Sequence, residues 1–329
     1  MGQRVTAKDV ARKAGVSRYA VSRTFTPGAS VAPATRTKVI AAAEALGYRP
    51  NALARSLIKQ ESNLVAVVSG NKENMYDMYF FDKLAQRLQR DSRWGLLVHS
   101  ERDEDINKTL GDALTYPVQA AIVRAGSIDP DIVEQCKRLN VPLIFTGMGR
   151  AVAGADSIWC DNLDGARTAT DVLINRRCKK ISYVGGVQQV FSEESRRQGF
   201  CQSLKDAGLE PHAILCGDFS YENGFSSGME LLKRKDRPDG VFCVNDAVAL
   251  GLINAAKKLG ITIPEQLAVV GFDDIPMAAW PCFDMTTMIN PVDAMLEAIS
   301  DTLQQRVDNP DAPSMSVIVK PELVRRGSA

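Results

Sequence analysis

The chain has 329 residues, a formal net charge of +1 and seven scattered cysteines, none in Cys-x-x-Cys spacing, so we expect buried, reduced thiols rather than a disulfide framework or a zinc site. This length exceeds one ordinary domain and predicts a small module beside a larger one. No apolar run approaches the about 20 residues that a membrane span needs, and the first residues do not resemble a secretory signal, so we expect a cytoplasmic protein.

Basic charge is concentrated in the N-terminal segment. Residues 1–60 hold 11 Lys and Arg residues against Asp9 and Glu44, a net charge of +9, which leaves −8 of the overall +1 for the remaining residues. A polyanion such as nucleic acid is the natural partner of such a segment. The alternative is a solvated basic surface that has no partner.

The first predicted helix covers about residues 7–14. Thr6 offers a hydroxyl group for its N-terminal cap, and Asp9 follows three residues later, which is the spacing of a capping box. Gly15 is placed to end this helix and to begin a tight turn.

Two more helices are predicted after that turn. Ser17 is placed to cap a second helix that runs to about Phe25, and Pro33 begins a third helix that ends at Gly47. Two short helices joined by a glycine turn indicate a helix-turn-helix.

A helix of this size fits the major groove of DNA, where each base pair presents its own pattern of donors and acceptors. Arg18 and Tyr19, at the start of the second helix, are the candidate base readers, whereas Ser22 and Arg23 either read a base or clamp phosphates. For each residue the alternative is a solvated side chain without a DNA contact. The candidates for positioning the DNA backbone are Thr6, Thr35, Arg36 and Lys38.

Residues 5–23, with the sequence VTAKDVARKAGVSRYAVSR, closely resemble the DNA-binding head of the lactose/galactose repressor (LacI) family. The resemblance continues through LGYRPN at 46–51 and ALARSL at 52–57, and ordered similarities extend to residues 319–326. It therefore covers essentially the whole chain. It implies a head at 1–50, a hinge at 51–60 and an effector-binding and dimerisation domain at 61–329.

For the hinge, the resemblance implies a helix from Asn51 to about Lys59 that folds only on operator DNA. Leu57 of each subunit would enter the minor groove, with Ala54 near the groove floor and Arg55 near phosphates. An isolated helix of under about ten residues is marginal in water, but an apolar wedge that kinks DNA recovers the ordering cost through added contacts. The alternative is a structured, passive linker.

From Leu64 onward short apolar strands alternate with longer amphipathic segments, which is typical of βαβ units and parallel sheets. Nine strands are predicted, and this number fits two sheets better than one. They are expected at 64–69, 95–100, 120–124, 143–146, 157–160, 180–184, 214–216, 240–244 and 267–271.

The resemblance implies an α/β sensor of two doubly wound lobes, as in periplasmic sugar-binding proteins, preceded by the small all-α helix-turn-helix head. The chain would cross between lobes near Asn162, Asn290 and Lys320. In such sheets a ligand lies beyond the carboxyl ends of the strands, here in the cleft between the lobes. The expected boundaries are about 61–162 with 291–320 for lobe one, and 163–290 with 321–329 for lobe two.

Three elements match the family's ligand-binding motifs, namely Arg-x-x-Gly at 196–199, Asn-Asp at 245–246 and Gly-aromatic-Asp-Asp at 271–274. The resemblance implies that Arg196, Asn245 and Asp273 contact the effector. A fork of donors, an amide and a carboxylate together satisfy sugar hydroxyls or the edge of a nucleobase. The alternative for Arg196 is an internal ion pair without a role in binding.

Further candidates lie on both lobes. Tyr76, Tyr79 and Phe80 fall at the start of the first helix of lobe one, where ligand-stacking aromatic rings are expected, although core packing explains at least one of them. Trp280 either lines the cleft or fills the core. Gly147 stands where some family members place a ligand-binding side chain, so no known effector is carried over.

These features predict a sequence-specific DNA-binding regulator, a repressor in the more common family outcome. We expect a nucleoid-associated homodimer on a near-palindromic operator, controlled by a sugar-like effector or another polar metabolite and without a cofactor. A transport binding protein is one alternative, and the basic head and missing signal argue against it. An enzyme is the other, but the chain has only two histidines and no recognisable nucleophile with its base.

Overall fold

The computed structural model describes residues 5–26, 28–50, 62–70, 75–100, 106–124, 129–147 and 149–329. The chain divides into two compact units, residues 1–62 and 63–329. Within the described ranges, no helix is long and apolar enough to pass through a bilayer.

The first unit contains the three predicted helices, α1 (Ala7–Ala14), α2 (Arg18–Thr24) and α3 (Pro33–Leu46). The carboxylate of Asp9 accepts hydrogen bonds from the backbone N–H and the hydroxyl of Thr6, at 3.0 and 2.7 Å. These bonds fix the first turn of α1, as the capping-box spacing predicts.

Each helix of this unit contributes one fully buried valine, Val10, Val21 or Val39, to a shared core. Gly15 and Gly47 end α1 and α3 with φ of 65°, in the left-handed region that glycine enters without steric cost. The glycines therefore set where two of the three helices stop.

The second unit contains two six-stranded sheets with corresponding strand orders. Sheet one has the order β11-β5-β4-β3-β1-β2 and is parallel throughout. From β1 the chain first adds β2 on one side and then returns to add β3, β4 and β5 on the other side. This reversal of direction is the doubly wound arrangement. Its strands are β1 (Leu64–Ser69), β2 (Trp94–His99), β3 (Ala120–Arg124), β4 (Leu143–Thr146), β5 (Asp156–Cys160) and β11 (Ser316–Val319).

Sheet two has the order β12-β10-β9-β8-β6-β7, with β12 antiparallel to β10 and the other pairs parallel. It forms the second lobe. Its strands are β6 (Ile181–Val184), β7 (Ala213–Leu215), β8 (Gly240–Cys243), β9 (Ala268–Asp273), β10 (Thr286–Ile289) and β12 (Glu322–Val324).

Helices connect most consecutive strands of each sheet, as in βαβ units, whereas β4 leads to β5 and β9 to β10 without an α-helix. The chain passes from sheet one to sheet two after β5, returns after β10 and crosses again between β11 and β12. The helices are α4 (Met75–Arg90), α5 (Ile106–Ala113), α6 (Pro130–Arg138), α7 (Asn162–Asn175), α8 (Phe191–Asp206), α9 (Tyr221–Leu232), α10 (Asp246–Lys258) and α11 (Val292–Asp308), with a 3₁₀ turn at Pro276–Ala279.

Two expectations need correction. The nine predicted strands are present within two residues of their expected ends, but β10, β11 and β12 were missed. The cysteines were expected to be buried, but Cys201 is half-buried and Cys216 and Cys282 are exposed. Cys216 directly follows β7, and Cys282 lies between the 3₁₀ turn and β10. At such positions outside helices and strands, the sequence alone gives little indication of exposure.

Candidate functional site

The exposed face of α2 carries the predicted base readers. Arg18, Tyr19 and Ser22 are exposed, and Tyr19 is 68% exposed, whereas Val21 and Thr24 face the core. The Oγ of Ser17 accepts a hydrogen bond from the N–H of Ala20 at 3.1 Å and caps the helix. This face offers a guanidinium, a phenol and a hydroxyl to a groove.

Arg23 is already bound to neighbouring groups. Its Nη1 donates to the hydroxyl of Tyr19 at 2.9 Å, and its Nε donates to the carbonyl oxygen of Ser30 at 3.0 Å. The guanidinium also lies 5.5 Å from the centre of the Tyr19 ring. Arg23 therefore orients Tyr19, whatever else it contacts.

The four residues predicted to position the DNA backbone differ in their surroundings. Lys38 is exposed, and among the described residues it has no ion pair or hydrogen bond from its ammonium group. Arg36 donates to the carbonyl oxygens of Thr24 and Ala29, at 3.2 and 3.3 Å. Thr35 is half-buried in the first turn of α3, and Thr6 binds Asp9 as described above. The candidates Asn51, Ala54, Arg55 and Leu57 lie outside the described residues.

Arg196, on α8, is the centre of a buried polar cluster and is 4% exposed. Its Nε donates to Oδ1 of Asn162 at 2.8 Å, and its Nη1 donates to the carbonyl oxygen of Val244 at 2.6 Å. Its Nη2 donates to Oδ1 of Asp273 at 3.3 Å, and its Cζ lies 3.6 Å from the centre of the Phe272 ring. The ion pair that the sequence left open as an alternative is therefore present.

Asp273 ends β9 with one carboxylate oxygen in use and one unused. Oδ1 accepts from Arg196 and, at 3.0 Å, from Nδ2 of Asn290. Oδ2 accepts no hydrogen bond from the residues that the structure describes. Burial raises the pKa of Asp273, and Arg196 and the bond from Asn290 oppose that change. Its φ of 119° is strained for a residue other than glycine, a feature that clusters at binding sites.

Asn245 has a structural role beside this cluster. Its Oδ1 accepts from the N–H of Val248 at 2.9 Å, which caps α10, and its Nδ2 donates to the carbonyl oxygen of Phe219 at 3.0 Å. The side chain is 1% exposed. One N–H and one lone pair of the amide remain for other partners.

The aromatic candidates do not act as one group. Tyr76 and Phe80 belong to the core, and Tyr79 is half-buried with Nζ of Lys83 5.5 Å from its ring centre. Trp280 is 52% exposed, so the core-filling alternative for this residue is wrong.

The sequence reasoning missed an ion pair between Asp77 and Arg124. Nε of Arg124 lies 2.5 Å from Oδ1 of Asp77, and the two side chains are 11% and 10% exposed. The charges of both residues act on the pKa of Asp273, so the pair lies within electrostatic range of the Arg196 cluster. The available signal was a cation at the carboxyl end of a buried strand, where ligands bind in doubly wound sheets.

Phe191, the first residue of α8, was also missed. A Cβ added at Gly149 would fall 1.6 Å from its ring, so this aromatic side chain of lobe two lies directly against lobe one. Its contact marks a point where the two lobes meet.

Comparisons with known proteins agree with both units. Residues 6–51 match the family described as bacterial regulatory proteins, lacI family, and residues 170–329 match a periplasmic binding protein-like domain. The HTH-type transcriptional regulator GalS of Salmonella typhimurium is 32% identical, over 98% of this chain and 96% of GalS. The ribose operon repressor of Escherichia coli is 30% identical, over 98% and 99% of the two chains.

Solved structures share the whole fold. The lac repressor dimer bound to operator and an anti-inducer has a TM-score of 0.87 at 24% identity, with 99% of each chain covered. The complex of the regulator CelR with cellobiose has a TM-score of 0.72 at 26% identity, over 99% of this chain and all of that one. Since relatives of 30% identity or more match along nearly its entire length, the chain belongs to the lacI family of bacterial regulatory proteins.

Proposed function

We propose that this regulator represses transcription by binding a near-palindromic operator as a homodimer, and that a small polar effector bound between its lobes controls operator affinity. It would act in the cytoplasm on the nucleoid, through a head at 1–50 and a hinge at 51–60. The observation that carries the proposal is the exposed polar face of α2 on a segment of net charge +9.

The effector site is proposed at the Arg196 cluster. The unused Oδ2 of Asp273 is an acceptor for a ligand hydroxyl, and the free N–H groups of Arg196 are donors. The relatives support the class of effector, since one represses a ribose operon and one solved structure holds cellobiose. Lobe boundaries are proposed at about 61–162 with 291–320 and 163–290 with 321–329.

The effector would act by shifting populations of the two lobe arrangements. A ligand changes an equilibrium only by its difference in affinity for the two states, so it must bind the DNA-competent and DNA-incompetent arrangements unequally. The proposed DNA contacts are Thr6, Ser17, Arg18, Tyr19, Ser22, Arg23, Thr35, Arg36 and Lys38, together with Asn51, Ala54, Arg55 and Leu57 of the hinge. The proposed effector contacts are Arg196, Asn245 and Asp273, with Tyr76, Tyr79, Phe80 and Trp280 as secondary positions.

The test is selection of genomic DNA fragments by the intact protein beside a version that lacks residues 1–60. We expect the intact protein alone to enrich a near-palindromic sequence. If pooled cell metabolites are added and still no sequence is enriched, the proposal fails. Equal retention by both versions would assign DNA binding to the wrong part of the chain.

A further inference from the structure

Arg124 is a largely enclosed cation with most of its donor groups unused. It ends β3, its side chain is 11% exposed, and its Nε binds Asp77. Among the described residues, none accepts a hydrogen bond from Nη1 or Nη2. A guanidinium has five N–H donors, and four of them are on these two nitrogens.

The groups that surround this guanidinium contact it but accept no hydrogen bond from Nη1 or Nη2. The rings of Phe80 and Tyr76 lie 4.4 and 5.0 Å from its Cζ. Gly147 is next to Nη1, since a Cβ added there would lie 3.7 Å away, and glycine contributes no acceptor side chain. The guanidinium plane is therefore positioned by aromatic faces, while its outer edge remains unpaired.

Thr146 adds a second donor without a partner. It pairs in register with Arg124 across the parallel β3–β4 ladder, so the two side chains leave the sheet on the same face. Thr146 is fully buried, and its hydroxyl has no hydrogen-bond partner among the described residues. Buried donors are normally satisfied, so the unpartnered hydroxyl of Thr146 beside the Nη1–Nη2 edge of Arg124 indicates a bound acceptor.

Arg196 and Arg124 differ in the hydrogen bonds that each can still donate. Arg196 already donates one hydrogen bond from each of Nε, Nη1 and Nη2, with Asp273 as its carboxylate, and keeps only one free N–H on each Nη. Arg124 has a carboxylate only at its Nε, which leaves the Nη1–Nη2 edge for a second one. Carboxylate and phosphate groups match such an edge, because two of their oxygens accept parallel N–H bonds.

We infer that the effector carries an anionic group, a carboxylate or a phosphate, that binds the Nη1–Nη2 edge of Arg124 and the hydroxyl of Thr146. Its hydroxyl groups then meet Asp273 on the other lobe. This inference rests on the proposed function, because it names the chemical class of effector for the same cleft. It selects sugar acids or sugar phosphates over neutral sugars.

The test compares matched probes on the full-length protein by calorimetry in chloride buffer. One set is D-glucose, D-glucuronate and D-glucose 6-phosphate, and the other is D-ribose and D-ribose 5-phosphate. We expect at least one anion to bind about tenfold or more tightly than its neutral counterpart. The glucuronate and phosphate arms separate the two anionic groups. The inference is overturned if neither set favours an anion.

Variants then locate the preference. Arg124→Gln alone leaves Asp77 buried without its partner and endangers the fold, so the double variant Asp77→Asn/Arg124→Gln removes both charges. It should lose the anion preference, whereas Asp77→Asn alone should keep or increase it, because a carboxylate that repels the ligand is gone. Arg138→Gln, exposed on α6, is the control and should match the wild type. A double variant that retains the preference contradicts the inference.

The DNA selection described above separates this failure from a failure of the proposed function. A protein that enriches an operator but shows no anion preference loses only the present inference. A protein that binds an anion through Arg124 but selects no DNA loses the proposed function.

Discussion

Arg36 and Arg18 are both cations of the head, and their surroundings give them different uses. Arg36 donates to the carbonyl oxygens of Thr24 and Ala29, so it holds the loop between α2 and α3 against α3. Arg18 is exposed, and no described residue accepts a hydrogen bond from its guanidinium. A sequence pattern places both near DNA, but only the fold reveals that one of them already has partners.

We expect Arg18→Ala to relax base preference at one operator position, at a cost of about 1–3 kcal/mol, because an Arg that bonds a guanine edge discriminates between bases. Lys38→Ala is the matched variant. Because it should remove a phosphate contact, we expect it to weaken binding to all DNA sequences alike and to lower the salt slope by about 1. Affinities for the selected operator, its single-base variants and random DNA over a salt series check both. Equal losses on operator and random DNA would remove Arg18 from the base readers.

Glu193, in the first turn of α8, is a buried carboxylate that accepts no hydrogen bond among the described residues. Nε of Arg197 lies 3.5 Å away, but burial is the larger effect and raises the pKa of Glu193 from 4.5. The folded protein therefore holds this proton more tightly than the unfolded chain does. Its contribution to stability is fully present below pH 4.5 and is lost as the pH rises through the folded-state pKa.

Glu193→Gln should accordingly flatten the pH dependence of the free energy of unfolding. The difference between variant and wild type is expected to grow in favour of the variant as the pH rises from 4.5. Urea unfolding at a series of pH values measures it, with Glu194→Gln on the exposed neighbour as the control. A constant offset at every pH would mean that the carboxylate titrates equally in the folded and unfolded chain.

At the scale of elements, the strands illustrate which secondary structure a local sequence pattern can and cannot predict. Seven of the nine predicted strands are runs of mostly buried residues, and burial makes such a run visible in the sequence itself, whereas β2 and β7 are edge strands without a buried residue. The missed strands β10, β11 and β12 have three or four residues each. Strand β11 pairs with β5 and β12 with β10, so their pairing depends on chain segments that no local window contains.

Prediction of the candidate site was limited in the same way, because contacts between residues far apart in the chain leave no local sequence pattern. Arg196 and Asp273 belong to contiguous motifs and were found by resemblance, and the structure brings them into contact. Arg124 and Asp77 are 47 residues apart in the chain and belong to no such motif. Their pairing is set by the packing of α4 on sheet one, which the sequence does not specify locally.

Helices α9 and α10 approach each other so closely that glycine is required at their contact. A Cβ added at Gly224 would lie 2.0 Å from the carbonyl oxygen of Val248, and backbone atoms cannot rotate away. Gly111, within α5, is a helical glycine with space, since the nearest atom to an added Cβ is Cδ1 of Ile132 at 3.9 Å. The two positions differ in packing but share helical backbone.

Gly224→Ala should therefore lower the free energy of unfolding by about 1–3 kcal/mol or more, as overpacking does. Gly111→Ala should leave it unchanged or raise it by about 0.5–1 kcal/mol, because alanine loses less backbone entropy in a helix. Urea unfolding of both variants beside the wild type gives the comparison. Similar effects at the two positions would show that α9 and α10 separate at little cost.

At the scale of the whole molecule, the features proposed for DNA binding and for effector binding lie in different units. The segment of net charge +9 and the exposed face of α2 belong to the first unit, whereas the buried polar cluster belongs to the second. Regulation requires that effector binding in the second unit changes the DNA affinity of the first. Coupling must therefore appear as a free-energy difference, which is reciprocal: an effector that weakens operator binding is itself bound less tightly by the DNA complex.

Asp273→Asn tests this coupling while keeping an acceptor for the cluster, and because it leaves the buried Arg196 without its carboxylate, urea unfolding first checks that the variant folds. The asparagine oxygen can still accept from Arg196 and Asn290, so the variant changes mainly the unused Oδ2 from an acceptor to a donor. We expect operator affinity without effector to change little and the effector's influence on it to be lost. Operator binding is measured with and without a probe sugar that acts on the wild type, beside Asp301→Asn on the exposed side of α11.

Raising the probe concentration separates two ways in which Asp273→Asn can lose the response. If Oδ2 binds the effector, excess probe restores part of the response, because only the affinity has fallen. If Asp273 instead holds the lobes in their switching geometry through Arg196, saturating probe binds without changing operator affinity. A variant that keeps the wild-type affinity for the probe and the wild-type response would remove Asp273 from both roles.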